Sequence, residues 1–366
     1  MKVVVLGTRG IPDIQGGVET HCQELYPRLS ALGCDITLIT RKPYVARRAG
    51  GYRGVKLKHL YAPRVKSLEA ISHSVLGVLT ARGIRPDLLH IHAVGPSLVT
   101  PVARLLGMRV VVTNHGPDYD RQKWGALASS VLRLGERLGT RYADRVIVIS
   151  KNIQNGLKQR YGRTDTVLIH NGVSPRTRTP CTDYLRRLGV EPGRYVLGVG
   201  RFVEEKRFHD LLEGFVAAAM AGMKLVIAGN ADHETEYSKD LKGRAARAGA
   251  VLTGFITGTE LDQVFSHAAL FVLPSSYEGL PIALLEALAY NLPVLASDIP
   301  ANLEVGLEPG SYFRLGDVDD LARKLTALAA PQRSPDYGNL ISREYDWDAI
   351  AGQTLEVYRS VPRRDP

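Results

Sequence analysis

The chain has 366 residues, of which 45% are hydrophobic and 23% charged, a composition typical of a globular protein long enough for two domains. Its three cysteines lie far apart without a C-x-x-C pair, which argues against a disulfide framework, a redox dithiol or a cysteine zinc site. Residues 1–177 contain 27 Lys and Arg against 11 Asp and Glu, a balance of +16, whereas the whole chain carries only +10. This asymmetry indicates that the first half meets an anionic partner.

In the first half, apolar runs typical of strands alternate with helical patterns. The predicted strands are residues 2–6, 35–40, 55–60, 88–92, 109–114, 145–150 and 166–169. The predicted helices include residues 19–32, 97–106 and 127–142. Such a βαβα rhythm predicts a parallel sheet with helices on both faces.

The rhythm breaks at residues 174–182, where Pro, Ser, Thr and Arg predict an interdomain linker. It then resumes, and the chain closes with a predicted helix from residue 347 to about 358. The predicted strands are residues 195–199, 223–228, 251–253, 270–273 and 294–297. The predicted helices are residues 208–219, 260–267, 281–289 and 318–328.

The most basic segment runs from residue 41 to residue 66 and contains no acidic residue. A solvated face and a contact with an anionic membrane surface both explain this composition, and the sequence leaves both open. Nucleic acid is disfavoured because the only interleaved aromatic residues are three tyrosines. The basic residues are Arg41, Lys42, Arg47, Arg48, Arg53, Lys56, Lys58, Arg64 and Lys66.

The loop after the first predicted strand, GTRGIPDIQGGVE, is a candidate phosphate or substrate loop. Ligands of open α/β folds lie beyond the carboxyl ends of strands. Adjacent Gly16 and Gly17 at a predicted helix start allow backbone amides to approach an anion, assisted by the helix dipole. Gly7 and Gly10 are three residues apart, so the dinucleotide fingerprint G-x-G-x-x-G is not met.

Two further candidate sites follow strands of the second half. Arg201 and Lys206, after the strand 195–199, could converge on one diphosphate, since guanidinium and ammonium groups suit phosphate oxygens. Glu278 stands in a loop before Pro281, which we expect in the first turn of a helix. Glu286, eight residues beyond Glu278, interrupts an apolar helix face, and ribose hydroxyls would be suitable partners for its carboxylate.

With these motifs the second half resembles the nucleotide-sugar-binding domain of glycosyltransferase family 4. The resemblance rests on GR-x4-K, E-x7-E, Asn171-Gly172-Val173 and Ile227-Ala228-Gly229, which occur in that family's order. The opening GTRGIP with the later glycine pair is similar to a bacterial branch that includes rhamnosyltransferases of cell-surface polysaccharide assembly.

The resemblance implies an α/β protein of the GT-B class, with two Rossmann-like domains whose parallel sheets face a central cleft. Residues 1–175 would form an acceptor-binding domain and residues 183–345 a nucleotide-sugar-binding domain. Residues 346–361 would form a helix that crosses back to the first domain.

The resemblance also assigns roles around the donor. Arg201 and Lys206 would neutralise the diphosphate and stabilise it as a leaving group, while Glu286 would hold the ribose hydroxyls. The loop of Gly16 and Gly17 would close over the donor phosphate from the other domain.

The transferred sugar would meet Glu278 and the backbone of Gly279, Leu280 and Pro281. His115, in Thr-Asn-His-Gly, matches the family's active-site histidine near the sugar. Catalytic roles therefore fall on His115, Glu278, Arg201 and Lys206. His90 and His92 alternate along one strand, so His92 could face the cleft, while His90 would lie in the core or at the surface.

The family implies retention of anomeric configuration and no cofactor or metal ion, because cationic side chains and helix dipoles replace Mg²⁺. We therefore do not interpret Asp118-Tyr119-Asp120 as a metal site, although it resembles the D-x-D motif of other glycosyltransferases.

The expected activity is transfer of a hexosyl or deoxyhexosyl group from a nucleotide-diphosphate sugar to a saccharide, in particular a lipid-linked one, in cell-surface polysaccharide or glycan biosynthesis. Met1 runs directly into an apolar strand, and no stretch of about 18 apolar residues follows. We therefore expect a cytoplasmic enzyme that associates peripherally with the inner membrane face. A nucleotide-sugar epimerase or a phosphorylase on the same fold is the alternative, and a nicotinamide oxidoreductase or a non-catalytic nucleotide-binding protein is less favoured.

Overall fold

A computed structural model describes residues 1–45, 50–63, 69–117, 119, 125–328 and 335–362. The chain divides into two compact units. The first unit comprises Met1–Asn171 and Trp347–Pro366, and the second comprises Gly172–Asp346. Four residues of the basic segment (Arg47, Arg48, Arg64 and Lys66) and both aspartates of Asp118-Tyr119-Asp120 lie outside the described residues.

The first unit is built on an eight-stranded sheet with the order β3-β4-β2-β1-β5-β6-β7-β8. The strands pair in parallel except for β3, which pairs antiparallel with β4. Their bounds are β1 Lys2–Leu6, β2 Asp35–Arg41, β3 Gly51–Tyr52, β4 Val55–Leu60, β5 Leu88–His92, β6 Val110–Asn114, β7 Arg145–Val148 and β8 Val167–Leu168. The order changes direction between β1 and β5, so the loops that follow these two strands meet at the switch point of the sheet.

Within the described residues, five α-helices connect these strands, and the C-terminal helix also packs in this unit. They are α1 Gly17–Ala31, α2 Glu69–Ile84, α3 Thr100–Leu105, α4 Ala126–Tyr142, α5 Lys151–Tyr161 and the C-terminal α14 Trp347–Ser360. Trp347, Ile350 and Tyr358 of α14 share a buried core with Leu25 and Tyr26 of α1. Burial of these apolar surfaces is what holds the C-terminal helix to the first unit.

The second unit contains a six-stranded sheet, entirely parallel, with the order β11-β10-β9-β12-β13-β14. Its strands are β9 Tyr195–Val199, β10 Lys224–Ala228, β11 Val251–Gly254, β12 Leu270–Leu273, β13 Val294–Ser297 and β14 Tyr312–Phe313. Its helices are α6 Asp183–Leu188, α7 Phe208–Ala217, α8 Glu236–Arg247, α9 Gly258–Ser266, α10 Ile282–Ala289, α11 Pro300–Leu303, α12 Val318–Leu328 and α13 Gly338–Glu344. The switch point of this sheet lies between β9 and β12.

Two sequence predictions need correction. The segment 174–182, predicted as a linker, is anchored to the second unit, because Arg178 donates hydrogen bonds of 2.8 Å to the carbonyls of Tyr290 and Asn291. Pro281 is not in the first turn of α10 but caps it, with extended backbone angles, and the helix begins at Ile282.

No described helix combines the length and the apolar character needed to cross a bilayer.

Candidate active site

The loops after β9 and β12 lie side by side at the switch point of the second sheet. A short 3₁₀ turn, Glu204–Lys206, follows β9, and its Glu205 carbonyl accepts a 2.9 Å hydrogen bond from the amide of Ser276 in the loop after β12. Since β9 and β12 are hydrogen-bonded neighbours, their carboxyl ends meet at one edge of the sheet. This arrangement brings together two sites that are about seventy residues apart in the sequence.

Lys206 and Glu278 form an ion pair across these two loops. The ammonium of Lys206 donates to Oε1 of Glu278 at 2.5 Å, and the two side chains are 17% and 12% exposed. An ammonium has three donors and a carboxylate has two acceptor oxygens, so each group keeps bonding capacity for a ligand. The pair places a cation beside an acceptor of hydroxyl hydrogen bonds, as a diphosphate with its attached sugar requires.

Arg201 lies on the same loop but pairs with a residue that the sequence interpretation missed. Its guanidinium donates to Oδ2 of Asp232 at 2.9 Å, in the loop after β10. Phe202 anchors the segment, because its ring is buried and its amide donates to the carbonyl of Asn230 at 3.0 Å. Asp232 therefore orients the guanidinium of Arg201. The only sequence feature that marked Asp232 as a candidate site residue was its place in the loop after a predicted strand.

The predicted Gly279, Leu280 and Pro281 form the entry to α10 directly after Glu278. Leu280 is buried and fixes this entry, while the first amides of α10 lack partners within the helix and can approach an anion. Glu286 is half-buried on the same helix. Burial, followed by the hydrogen bond to Asp262, raises the pKa of Tyr290 well above its usual range, and the charge of Glu286 adds a smaller contribution.

In the first unit the loop after β1 is organised by an ion pair at the start of α1. Glu19, in the first turn, accepts from the backbone amide of Arg9 at 3.1 Å and pairs with its guanidinium at 3.2 Å. Arg9 also donates to the carbonyl of Gln15. The Arg9–Glu19 pair was not identified in the sequence, and it adds a cation to the loop that carries Gly16 and Gly17.

Glycine is required at two positions of this loop. A side chain on Gly16, which has φ of +149°, would lie 2.2 Å from the carboxylate of Glu19. A side chain on Gly7, with φ of +111°, would lie 2.2 Å from the backbone oxygen of His92. Gly7 thus allows the loop to pass directly over the end of β5.

His115 follows β6 in a turn held by Asn114. The amide of Gly116 donates to the side-chain oxygen of Asn114 at 2.8 Å, and the Asn114 nitrogen donates to buried Glu136 at 3.1 Å. Nε2 of His115 lies 2.9 Å from Nδ1 of His92. Burial is the main cause that lowers the pKa of His115 well below its usual value, so its imidazole is neutral.

Part of the basic segment is neutralised within the first unit. Arg41 pairs with Glu69 at 3.1 Å, and Lys56 pairs with Asp35 at 2.7 Å. These contacts weaken the case for the segment as an anion-binding surface.

Comparisons with known proteins fit this geometry. The sequence model of Glycosyltransferase Family 4 matches residues 15–177, and that of Glycosyl transferases group 1 matches residues 186–343. Together the two models span most of the chain, which is therefore a glycosyltransferase whose first half matches family 4. It is 27% identical to the alpha-maltose-1-phosphate synthase of Mycolicibacterium smegmatis, over 99% of this chain and 100% of that protein.

Solved structures confirm the GT-B fold of this glycosyltransferase. Sucrose-phosphate synthase of Thermosynechococcus elongatus superposes with a TM-score of 0.83 at 22% identity, over 98% of each chain. The Anabaena protein HepE in complex with UDP-glucose gives a TM-score of 0.77 at 21% identity, over 98% of this chain and 100% of that one.

Proposed function

We propose that this glycosyltransferase retains anomeric configuration and transfers a hexosyl or deoxyhexosyl group from a nucleotide-diphosphate sugar without a metal ion at the diphosphate. The contact between Lys206 and Glu278 at the switch point of the second sheet carries the proposal. In this mechanism, Lys206 and Arg201 stabilise the charge that develops on the departing diphosphate, assisted by the amides at the start of α10. Glu278 accepts hydrogen bonds from the transferred sugar, and Glu286 accepts them from the ribose.

Alanine substitutions test the diphosphate role. Lys206→Ala removes a charge partner of the leaving group, and such losses are about 2.7–4 kcal/mol, or roughly 100- to 1000-fold in turnover. Transfer is measured with a panel of nucleotide sugars, and nucleoside diphosphate binding by calorimetry. Lys242→Ala is the matched control, because Lys242 forms a surface pair with Glu234. Parent-level transfer by Lys206→Ala would remove the assignment.

Glu278→Gln separates sugar contacts from nucleotide contacts. If Glu278 meets the transferred sugar, turnover falls strongly while affinity for the nucleoside diphosphate changes little. Equal losses of turnover and nucleotide affinity would identify Glu278 as a nucleotide contact instead. Donor consumption by the parent enzyme that depends on an added acceptor would argue against an epimerase.

Stereochemistry and metal independence have their own readouts. Proton NMR of the product should show the anomeric configuration of the donor, and transfer should persist after exhaustive treatment with EDTA. An inverted product, or activity that returns only when Mg²⁺ or Mn²⁺ is added back, would contradict the proposal.

For the acceptor we propose a lipid-linked saccharide of cell-surface polysaccharide or glycan assembly, reached at the inner face of the cytoplasmic membrane. Support comes from α4, where Leu127 is 82% and Leu134 46% exposed, one heptad apart on the same face. Exposed Arg133, Arg137 and Arg141 follow one another at four-residue spacing beside that face. The sequence left open whether residues 41–66 form a solvated face or a membrane contact, and an apolar stripe flanked by arginines favours α4 for the membrane contact.

Flotation with vesicles tests this surface. Each arginine near an anionic leaflet contributes about 1 kcal/mol, so replacing all three by Gln should weaken binding to anionic vesicles about 100-fold. Leu127→Gln with Leu134→Gln should also reduce binding. Val216→Gln, an exposed apolar residue of the second unit, is the control. Vesicle binding that none of these changes alters would exclude α4.

A phosphorylated sugar is the second acceptor class, because the names of both synthases similar to this chain describe phosphorylated disaccharide products. An acceptor panel of free sugar phosphates and lipid-linked saccharides, assayed with the same donor, distinguishes the two classes.

A further inference from the structure

Three imidazoles from different elements meet in the first unit. His21 lies on α1, His92 ends β5 and His115 follows β6. One ring nitrogen from each can be chosen so that all three lie within 4.8 Å of one another. The ring centroids are 5.4, 4.9 and 5.2 Å apart, so the rings surround a common point rather than stacking.

Only one of the two ring nitrogens of His21, Nδ1, makes a hydrogen bond within the described part of the chain. Nδ1 of His21 lies 2.9 Å from the side-chain oxygen of Asn171, which can only accept, so Nδ1 carries the proton. Nε2 therefore presents a lone pair. That atom is buried and has no hydrogen-bond partner among the described residues. An unsatisfied buried acceptor costs free energy, and a ligand that accepts electron density would relieve this cost.

His92 is also oriented from behind. Its Nε2 contacts the hydroxyl of Tyr26, which lies 3.0 Å from Nδ1 of His90. The same His90 nitrogen is 2.6 Å from the hydroxyl of Tyr358. These contacts fix the ring of His92 so that Nδ1 points to His115.

Hydrogen bonds from the outer nitrogens of histidines to oxygen atoms are the usual support of metal-binding imidazoles. Here Asn171 provides this support for His21, and Tyr26 provides it for His92.

The three nitrogens lie within 4.8 Å of one another, near enough for small ring rotations to bring them to the spacing of a tetrahedral ion. With metal–nitrogen bonds of about 2.0–2.1 Å, tetrahedral angles place ligand nitrogens about 3.4 Å apart. His92 Nδ1 and His115 Nε2 lie 2.9 Å apart, joined by a hydrogen bond in which one nitrogen donates and the other accepts, and small ring rotations would open it. His115 would then carry its proton on Nδ1. Burial lowers the pKa of His21 to about 4 and holds the pKa of His92 and His115 well below the usual value.

We propose that His21 Nε2, His92 Nδ1 and His115 Nε2 form a binding site for a divalent transition-metal ion such as Zn²⁺, with water as the fourth ligand. Imidazole ligands favour Zn²⁺, Co²⁺, Ni²⁺ and Cu²⁺ over Mg²⁺ or Ca²⁺, which prefer oxygen. All three ligands belong to the first unit, whereas the residues proposed for the donor diphosphate belong to the second. A bound ion would occupy Nε2 of the predicted catalytic His115.

Metal titration of the full-length protein tests the site without an activity assay. The chelator-treated protein is titrated with ZnCl₂ by calorimetry and with CoCl₂ by visible absorption, where tetrahedral Co²⁺ gives intense bands. We expect one ion per chain, and at least tenfold weaker binding for His21→Gln and for His92→Gln. His233→Gln, at an exposed position, should bind as the parent does. Absence of a stoichiometric ion, or equal binding by His21→Gln and His233→Gln, would overturn the site.

A second pair of variants keeps the test independent of changes to the ligands themselves. Asn171→Ala removes the hydrogen bond that orients His21, and such losses lower metal affinity about 10- to 100-fold. Asn171→Asp keeps an acceptor there and should bind at least as tightly as the parent. Parent-like affinity in Asn171→Ala would refute the proposed orientation of His21. Displacement of bound Co²⁺ by equimolar Mg²⁺ would refute the assigned metal class.

Discussion

Glu136 supports the turn that carries His115, and its removal should be costly. Its side chain is fully buried on α4. Its carboxylate accepts from Asn114 at 3.1 Å and from the hydroxyls of Tyr119 and Tyr161 at 2.8 and 3.0 Å. The guanidinium of Arg160 lies 3.3 Å away. Burial, followed by Glu136, raises the pKa of Tyr161 to about 12, which keeps its hydroxyl a donor.

Glu136→Ala leaves four donors without their acceptor and opens a cavity. Breaking a buried charged network of this kind costs about 3–5 kcal/mol. The first unit has roughly 190 residues, and in this size range about 2–4 °C of melting temperature corresponds to each kcal/mol. The expected drop is therefore about 6–20 °C. Glu136→Gln keeps one acceptor oxygen, but its amide nitrogen cannot accept from the surrounding donors. The loss in free energy of unfolding should therefore be smaller than for Glu136→Ala, about 1–3 kcal/mol.

Tryptophan fluorescence can isolate the first unit, because the two tryptophans, Trp124 and Trp347, both fall within its sequence range. Thermal and urea unfolding followed by this fluorescence measure the loss of stability. The control is Glu213→Ala, at an exposed position of the second unit. At temperatures where Glu136→Gln stays folded, transfer should also fall, since Asn114 loses part of its support. An alanine variant within 1 kcal/mol of the parent would refute the view that this network holds the turn.

Three further outcomes follow from particular contacts. Gly7→Ala forces a methyl group against the backbone oxygen of His92 at a positive φ, and urea unfolding should show a loss of about 2–3 kcal/mol, whereas an unchanged midpoint would contradict the close approach. His73 is buried beside Arg41 and its pKa is lowered to about 4, chiefly by burial, so the native state disfavours its proton. Stability from neutral His73 is complete above pH 6.5 and is lost as pH falls toward 4, by about 2–3 kcal/mol. His73→Leu should flatten that slope in pH-dependent unfolding, and an unaltered slope would show that other groups dominate. Arg178→Ala releases two hydrogen bonds to backbone carbonyls, so proteolysis within residues 174–182 should become faster, and equal cleavage rates would argue against this anchoring.

The alternation of strands and helices was readable from the sequence because it depends on local periodicity. The predicted strands 88–92 and 270–273 coincide with β5 and β12, since buried parallel strands are short apolar runs between breakers. By contrast, α2 was missed, because it exposes Ile71, Val75 and Leu79 and so lacks a polar face.

The candidate donor site was predictable in part. Lys206 and Glu278 each follow a strand, and parallel strands end at a common edge, so a contact between them was a reasonable expectation. The sequence indicated only that Asp232 follows a strand, and it did not indicate that Asp232 would pair with Arg201 or Glu19 with Arg9. Asp232 reaches Arg201 only because β10 lies next to β9 in the sheet, and strand order is not a local property of the sequence.

By itself the sequence determined the two α/β units, the loops that follow their strands and the residue types that suit a diphosphate and a sugar. These features follow from composition and from spacing over a few residues. The tertiary structure decided which side chains meet. His21, His92 and His115 come together because β1, β5 and β6 are consecutive neighbours in the sheet. The helix after β1, the end of β5 and the loop after β6 therefore meet, and no pattern within a single segment encodes that neighbourhood.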